Sequence, residues 1–178
     1  AMKAASFISN ITCCLLIMVS STSAQNYDPS KVKKKAVQLY NQALDKAADG
    51  NMAIAENMFL QCIEIDNKYI DAYLSLAGVY GQEKNYQSSV DYYEKAFALD
   101  SDYTIEFKLS YSINLAGLGR FQDALNAINQ FLDKKPPQNS TALKAALYRK
   151  RCYEFAVDYA KKHPDTSYVF APKNMGDG

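Results

Sequence analysis

The chain has no Trp, and only 7 Gly and 5 Pro in 178 residues. With few residues that break a backbone, and with Ala and Leu spread throughout, the composition fits an all-helical chain. Neither sign of charge is in excess, since 20 Lys plus Arg stand against 19 Asp plus Glu. That balance leaves no basic field to concentrate nucleic acid and no acidic run of the kind that forms a solvating tail. The single His, His163, stands beside Pro164 at an expected helix end, with no Cys or Ser partner implied by the sequence. A helix C-terminus favours such a residue through its dipole. There is no Gly-rich phosphate loop and no metal-ligand spacing. Paired acids such as Asp66 and Asp100 recur only because a longer pattern recurs. Catalysis, a cofactor, a bound metal, a nucleic-acid partner and a small-molecule substrate are therefore not expected.

Long apolar runs are also scarce, with one exception at the start. Residues 1–24 carry a single charge, Lys3, and Ile11 to Val19 is an apolar run of secretory length. Thr22-Ser23-Ala24 then supplies small residues ahead of Gln25, as a signal peptidase requires. Spanning a bilayer takes about 20 apolar residues, more than this run provides. The expectation is a signal peptide over 1–24 and an exported protein, periplasmic or associated with the outer membrane. Cys13 and Cys14 lie inside the apolar run rather than after it, which argues against a lipid-attachment cysteine. Of the other two, Cys62 reads as a small core residue. Cys152 is distant from it in sequence, and a bridge is not expected.

What is present is a period. Ala43, Ala77 and Ser112 form one column, and Ala55, Ser89 and Ala124 another. Phe59, Tyr93 and Ile128 form a third, Cys62, Ala96 and Phe131 a fourth, and Asn67, Ser101 and Pro136 a fifth. Each column steps by 34 residues and then by 35. Helix signals fit the same frame. Asp28-Pro29 opens a helix expected to run to Ala48, and Asp49-Gly50-Asn51 breaks it before a second over 52–65. Further helices are expected over 70–83, 86–99, 104–118 and 121–133, with Lys84-Asn85 and Gly119 as turns and Lys135-Pro136-Pro137 as a stop. Antiparallel helices must approach to about 8–10 Å, so small side chains are needed where they cross. The Ala and Ser columns meet that need, and the bulky columns fill the space beside each crossing. The extra residue before the third pair falls around Asp102 to Ile105, in a loop where insertion is cheap. Asn139-Ser140-Thr141 reads as a helix cap more readily than as a glycosylation sequon. A long helix is expected over 142–162, with Leu143, Leu147, Phe155 and Tyr159 near one stripe.

These columns resemble the tetratricopeptide repeat (TPR) family over residues 36–138, as repeats 36–69, 70–103 and 105–138 within a 25–138 array. The resemblance implies an all-α, right-handed superhelical solenoid of three helix-turn-helix repeats, with 139–163 as a C-terminal capping helix and 164–178 as an extended tail or linker. Leu39 and Lys108 stand where the family often has Trp, and only the third repeat carries the closing Pro. The family's inner groove is lined by the first helix of each pair. Carried over by register, the lining is Val37, Tyr40, Leu44, Ala47 and Ala48, then Asp71, Leu74, Gly78, Gly81 and Gln82, then Glu106, Leu109, Ile113, Ala116 and Gly117. Family members that clamp a chaperone C-terminal carboxylate use Lys, Asn and Arg, whereas Tyr40, Leu44, Glu106 and Ser110 stand at those places here. An apolar protein or peptide segment is the expected occupant, with Gly78 and Gly81 as sites of close approach.

The tail from Phe170 to Gly176 resembles the junction in Bacteroidetes-type envelope proteins where TPR repeats precede a WD40-like propeller and an OmpA-like domain. That resemblance implies an N-terminal recognition module reaching a secretion or motility complex through the larger protein. The alternative is a structural spacer whose groove is filled by its own tail or by a second copy in a homodimer.

Overall fold

Asp28 decides how the described part of the chain begins. Its carboxylate accepts the amide and hydroxyl of Ser30, at 3.0 and 2.7 Å, and caps a 3-10 turn over Pro29–Lys31. A computed structural model describes residues 26–164, so the expected signal peptide and the stretch after Pro164 lie outside the described residues. The helix expected to run on from Pro29 is interrupted. Val32 is extended (φ −63°, ψ 140°) and buried, and α1 starts afresh at Lys34–Ala48. The break frees the Lys33 amide to donate to Asp66 Oδ2 at 3.0 Å, a bond that a helix-interior amide would form within its own helix.

The remaining helices are α2 (Met52–Ile65), α3 (Ile70–Gln82), α4 (Tyr86–Leu99), α5 (Lys108–Gly117), α6 (Phe121–Lys134) and α7 (Ser140–Lys162). No strand occurs among the described residues. Consecutive helices pack as three hairpins, α1 on α2, α3 on α4 and α5 on α6. Each later hairpin rests on the one before it, and α7 closes over α6. The three hairpin turns share one device. Gly50, Lys84 and Gly119 have positive φ of 80°, 60° and 74°. The amide after each reaches back to a helix carbonyl at 2.9 Å, as Asn51 does to Lys46, Asn85 to Tyr80 and Arg120 to Leu115. This is the left-handed helix termination that glycine adopts most readily.

The six small column residues, Ala43, Ala77, Ser112, Ala55, Ser89 and Ala124, are all 0% exposed. The serines among them are satisfied: Ser89 Oγ donates to Ala77 O and Ser112 Oγ to Leu109 O, both at 2.7 Å. Phe59, Tyr93 and Ile128 are buried beside them. Cys62 is buried, and loss of solvent pushes its thiol up to about 11, while Cys152 is exposed and neither is disulfide-bonded.

Two other helices differ from expectation. A 3-10 turn over Ile105–Phe107 precedes α5, where buried Thr104 donates its hydroxyl to Asp100 O at 2.6 Å and the extra residue is absorbed. In α7, Asn139 caps as expected, its Oδ1 accepting the amides of Thr141 and Ala142 at 2.8 and 3.1 Å. The buried side, however, is Ala146, Tyr153 and Val157 rather than the expected stripe, and Leu147 and Phe155 are 43% and 71% exposed. Ala146 presents no bulk and lets α7 settle closely, which rotates the larger stripe outward.

Candidate interaction groove

The expected lining falls into rows across α1, α3 and α5. One row is open. Leu44 is 41% and Ile113 37% exposed, and a Cβ added to Gly78 between them would meet nothing within 4 Å. Two aliphatic side chains thus flank a gap over the α3 backbone.

The row of Val37, Asp71 and Glu106 behaves differently. Val37 is half-buried against the cluster around Val32, Ala36 and Cys62. Asp71 accepts two phenolic hydroxyls, from Tyr27 at 3.1 Å and Tyr103 at 2.7 Å. Those two rings meet edge-on, with centroids 4.6 Å apart. Burial first, and then the adjacent carboxylate of Asp71, push both hydroxyls well above the usual phenol range. Glu106 is exposed, with Lys135 Nζ 3.6 Å away.

In the row of Tyr40, Leu74 and Leu109, the Tyr40 ring lies against Phe59 and Tyr69, and its hydroxyl is 2.9 Å from Ser75 Oγ. Leu109 is half-buried against the cluster that holds Leu115 and Ile128. Leu74 corrects the expectation. It is only 4% exposed, packed with Ile70, Ala77 and Tyr93, and offers almost no surface to a partner. Gly81 and Gly117 are corrected too. A Cβ on Gly81 would lie 3.0 Å from Asn114 Oδ1, and one on Gly117 would lie 2.7 Å from the Tyr86 ring. Both glycines make room for this chain's own side chains. Gln82 is exposed at the end of α3.

Two features escaped the sequence reading. Leu147 in α7 stands 34 residues after Ile113 and is 43% exposed, so it continues the open row in register. The period carried that signal past residue 138. Tyr27 gave no periodic signal. Its amide donates to Asp100 Oδ2 at 2.8 Å, while Asp100 Oδ1 accepts the amides of Asp102 and Tyr103 at 3.0 and 2.9 Å. The amides of Tyr103, Tyr27 and Asp102, in that order, hold the Asp100 carboxyl below its usual range. With Lys33 Nζ donating to Ile65 O at 2.7 Å, residues 26–33 form a strap over the turns that follow α2 and α4. Among the described residues, no three His, Cys, Asp or Glu side chains gather as a metal site, and no helix is long and apolar enough to cross a membrane.

The tetratricopeptide repeat family profile matches residues 70–103, which hold α3, α4 and the turn that follows. The first TPR of Spaghetti (RPAP3), solved bound to the HSP90 peptide SRMEEVD, superposes with a TM-score of 0.63. Identity is 17%, over 74% of this chain and 96% of that one. The fold is a TPR solenoid. The Sgt2 TPR domain from Aspergillus fumigatus matches this solenoid with a TM-score of 0.61 at 12% identity, over 82% of this chain and 93% of that one. The Yersinia enterocolitica type III secretion chaperone SycD, solved with a peptide of the translocator YopD, matches with a TM-score of 0.59. There the identity is 17%, over 72% of this chain and 96% of that one. No curated protein matches the sequence.

Proposed function

We propose that this TPR solenoid is a non-catalytic protein-interaction scaffold of the bacterial cell envelope. It takes an apolar segment of a protein partner across α1, α3 and α5. The observation that carries this reading is the gap at Gly78, where exposed Leu44 and Ile113 leave apolar surface beside bare backbone. Glycine inside a helix costs roughly 1 kcal/mol relative to Ala, and here no neighbouring side chain accounts for it. Peptide-bound neighbours of the same fold support the mode of action. The signal-like start, residues 1–24, supports export to the periplasm or outer membrane. The Phe170–Gly176 junction supports a place at the head of a larger envelope protein that serves a secretion or motility complex.

Gly78→Leu tests the reading. The added side chain enters open space, so helicity and melting should be close to wild type, while partner binding should weaken by about tenfold or more as the pocket is filled. Pull-down from a periplasmic fraction, quantified against wild type, reads the difference. A folded variant that captures the same partner in equal amount would overturn the proposal.

A further inference from the structure

The end of α7 leaves a second apolar hollow, separate from the Gly78 gap. α7 has 23 residues where α5 has 10, so its C-terminal half overhangs the α5–α6 turn. Beneath the overhang lies a hollow of about 820 Å³ lined by Gly117, Leu118 and Phe121 on one side and Phe155 and Ala156 on the other. Phe155 is 71% and Phe121 37% exposed. The chain leaves α7 through His163 and Pro164, which line the same hollow. Only three residues later the sequence turns apolar, as Tyr168-Val169-Phe170-Ala171, ended by Pro172.

The geometry points to this segment as the hollow's occupant: residues 168–171 fold back along α7 and cover Phe155 and Phe121. Reach allows it. Phe170 is six residues past Pro164, about 20 Å of extended chain, and the helix from Phe155 to Pro164 is only about 14 Å long. Size favours it over a second copy of the chain. The exposed apolar stretch of α7 from Tyr148 to Tyr159 is about 17 Å long. A stable dimer buries about 1,200–2,000 Å², more than one such stretch supplies. A tethered segment needs far less area, because its effective concentration is in the millimolar range. The chemistry is apolar on both sides, aromatic against aromatic, with a backbone that Pro172 stops from continuing as helix.

Timed chymotrypsin cleavage of the folded full chain, read by intact mass, tests the assignment, because Tyr168 and Phe170 are themselves the cut sites. In Phe155→Ser, cleavage at these two residues should be about tenfold faster than in wild type, since the docked segment is cut only when open. Phe155 is exposed, so the buried side of α7 at Ala146, Tyr153 and Val157 is untouched, and an unchanged melting curve verifies the fold. Phe121→Ser should act in the same direction, and Tyr148→Ser, outside the hollow, should not. Equal cleavage rates in wild type, Phe155→Ser and Phe121→Ser overturn the assignment. Protection that disappears on dilution of the wild type overturns it as well, in favour of a second copy. Neither result bears on Gly78→Leu, which reports on a different surface.

Discussion

Gly78 and Gly117 are the same residue type in equivalent helices, yet their surroundings oppose each other. At Gly78 an added methyl meets open space, so Gly78→Ala should stabilise the fold by about 0.4–1 kcal/mol through lower chain entropy in the unfolded state. At Gly117 the same methyl would lie 2.7 Å from the Tyr86 ring, and Gly117→Ala should cost about 1–3 kcal/mol by overpacking. Denaturant melts of the two variants should therefore shift in opposite directions. Lys84 gives a third case. It holds the left-handed conformation, φ 60°, that Gly50 and Gly119 hold in the neighbouring turns. Lys84→Gly relieves the steric penalty at some cost in unfolded-state entropy, a net gain of about 0.5–1 kcal/mol in the same melts. None of these contrasts was legible in the sequence. A glycine's letter does not say whether its missing Cβ leaves a void or avoids a ring, because the neighbours come from other helices.

At the scale of the element, the sequence was most readable where a local signal and the period agreed. Helices α2 and α4 have the expected bounds because the small and bulky columns and the turn residues all point the same way. The start of α1 was misread because Pro29 does open a helical turn, but Asp66, 33 residues beyond Lys33, decides where that turn ends. Pairing at such distance leaves no local mark. The orientation of α7 was misread for a related reason. Two apolar stripes run along it, and the packing of Ala146 against the array selects the less bulky one. Its cap was legible, since Asn139 needs only the next three residues. Asn139→Ala removes the acceptor of two amides and should cost about 1 kcal/mol. In a domain of this size that is a fall of about 2–4 °C in Tm. The loss should concentrate in the first turn of α7, as faster amide exchange at Thr141 and Ala142.

Across the whole molecule, stacking ties the hairpins together, and the strap of residues 26–33 adds bonds that skip along the array. Asp100 is where those bonds converge. Its folded-state acidity is strengthened by the amides it accepts, so its contribution is complete above the ordinary aspartate value near pH 4 and lost as pH falls through the lower folded value. Stability should therefore decline from about pH 4 downward. Asp100→Asn should be less stable at neutral pH and show a shallower acid decline. Thermal melts from pH 7 to pH 3 measure both. The candidate groove was half legible on this scale. Register placed Leu44, Gly78 and Ile113 in one row, but that Asp71 is occupied by Tyr27 and Tyr103 depends on a segment outside the period.

A superhelix of stacked hairpins stretches and recoils by small changes in the angle between neighbours, as a coil spring does. The strap braces two of those joints directly, through Lys33 on Asp66 and Tyr27 on Asp100. Around α5 and α6 the cross-links are exposed ion pairs, Lys134 to Asp102 and Lys135 to Glu106, which resist deformation weakly. The elasticity of the array is thus graded: stiff at the N-terminal joints and compliant toward α7. A load transmitted through the chain would be absorbed at the C-terminal end, leaving the pitch of the first two hairpins, and the near side of the Gly78 gap, undisturbed.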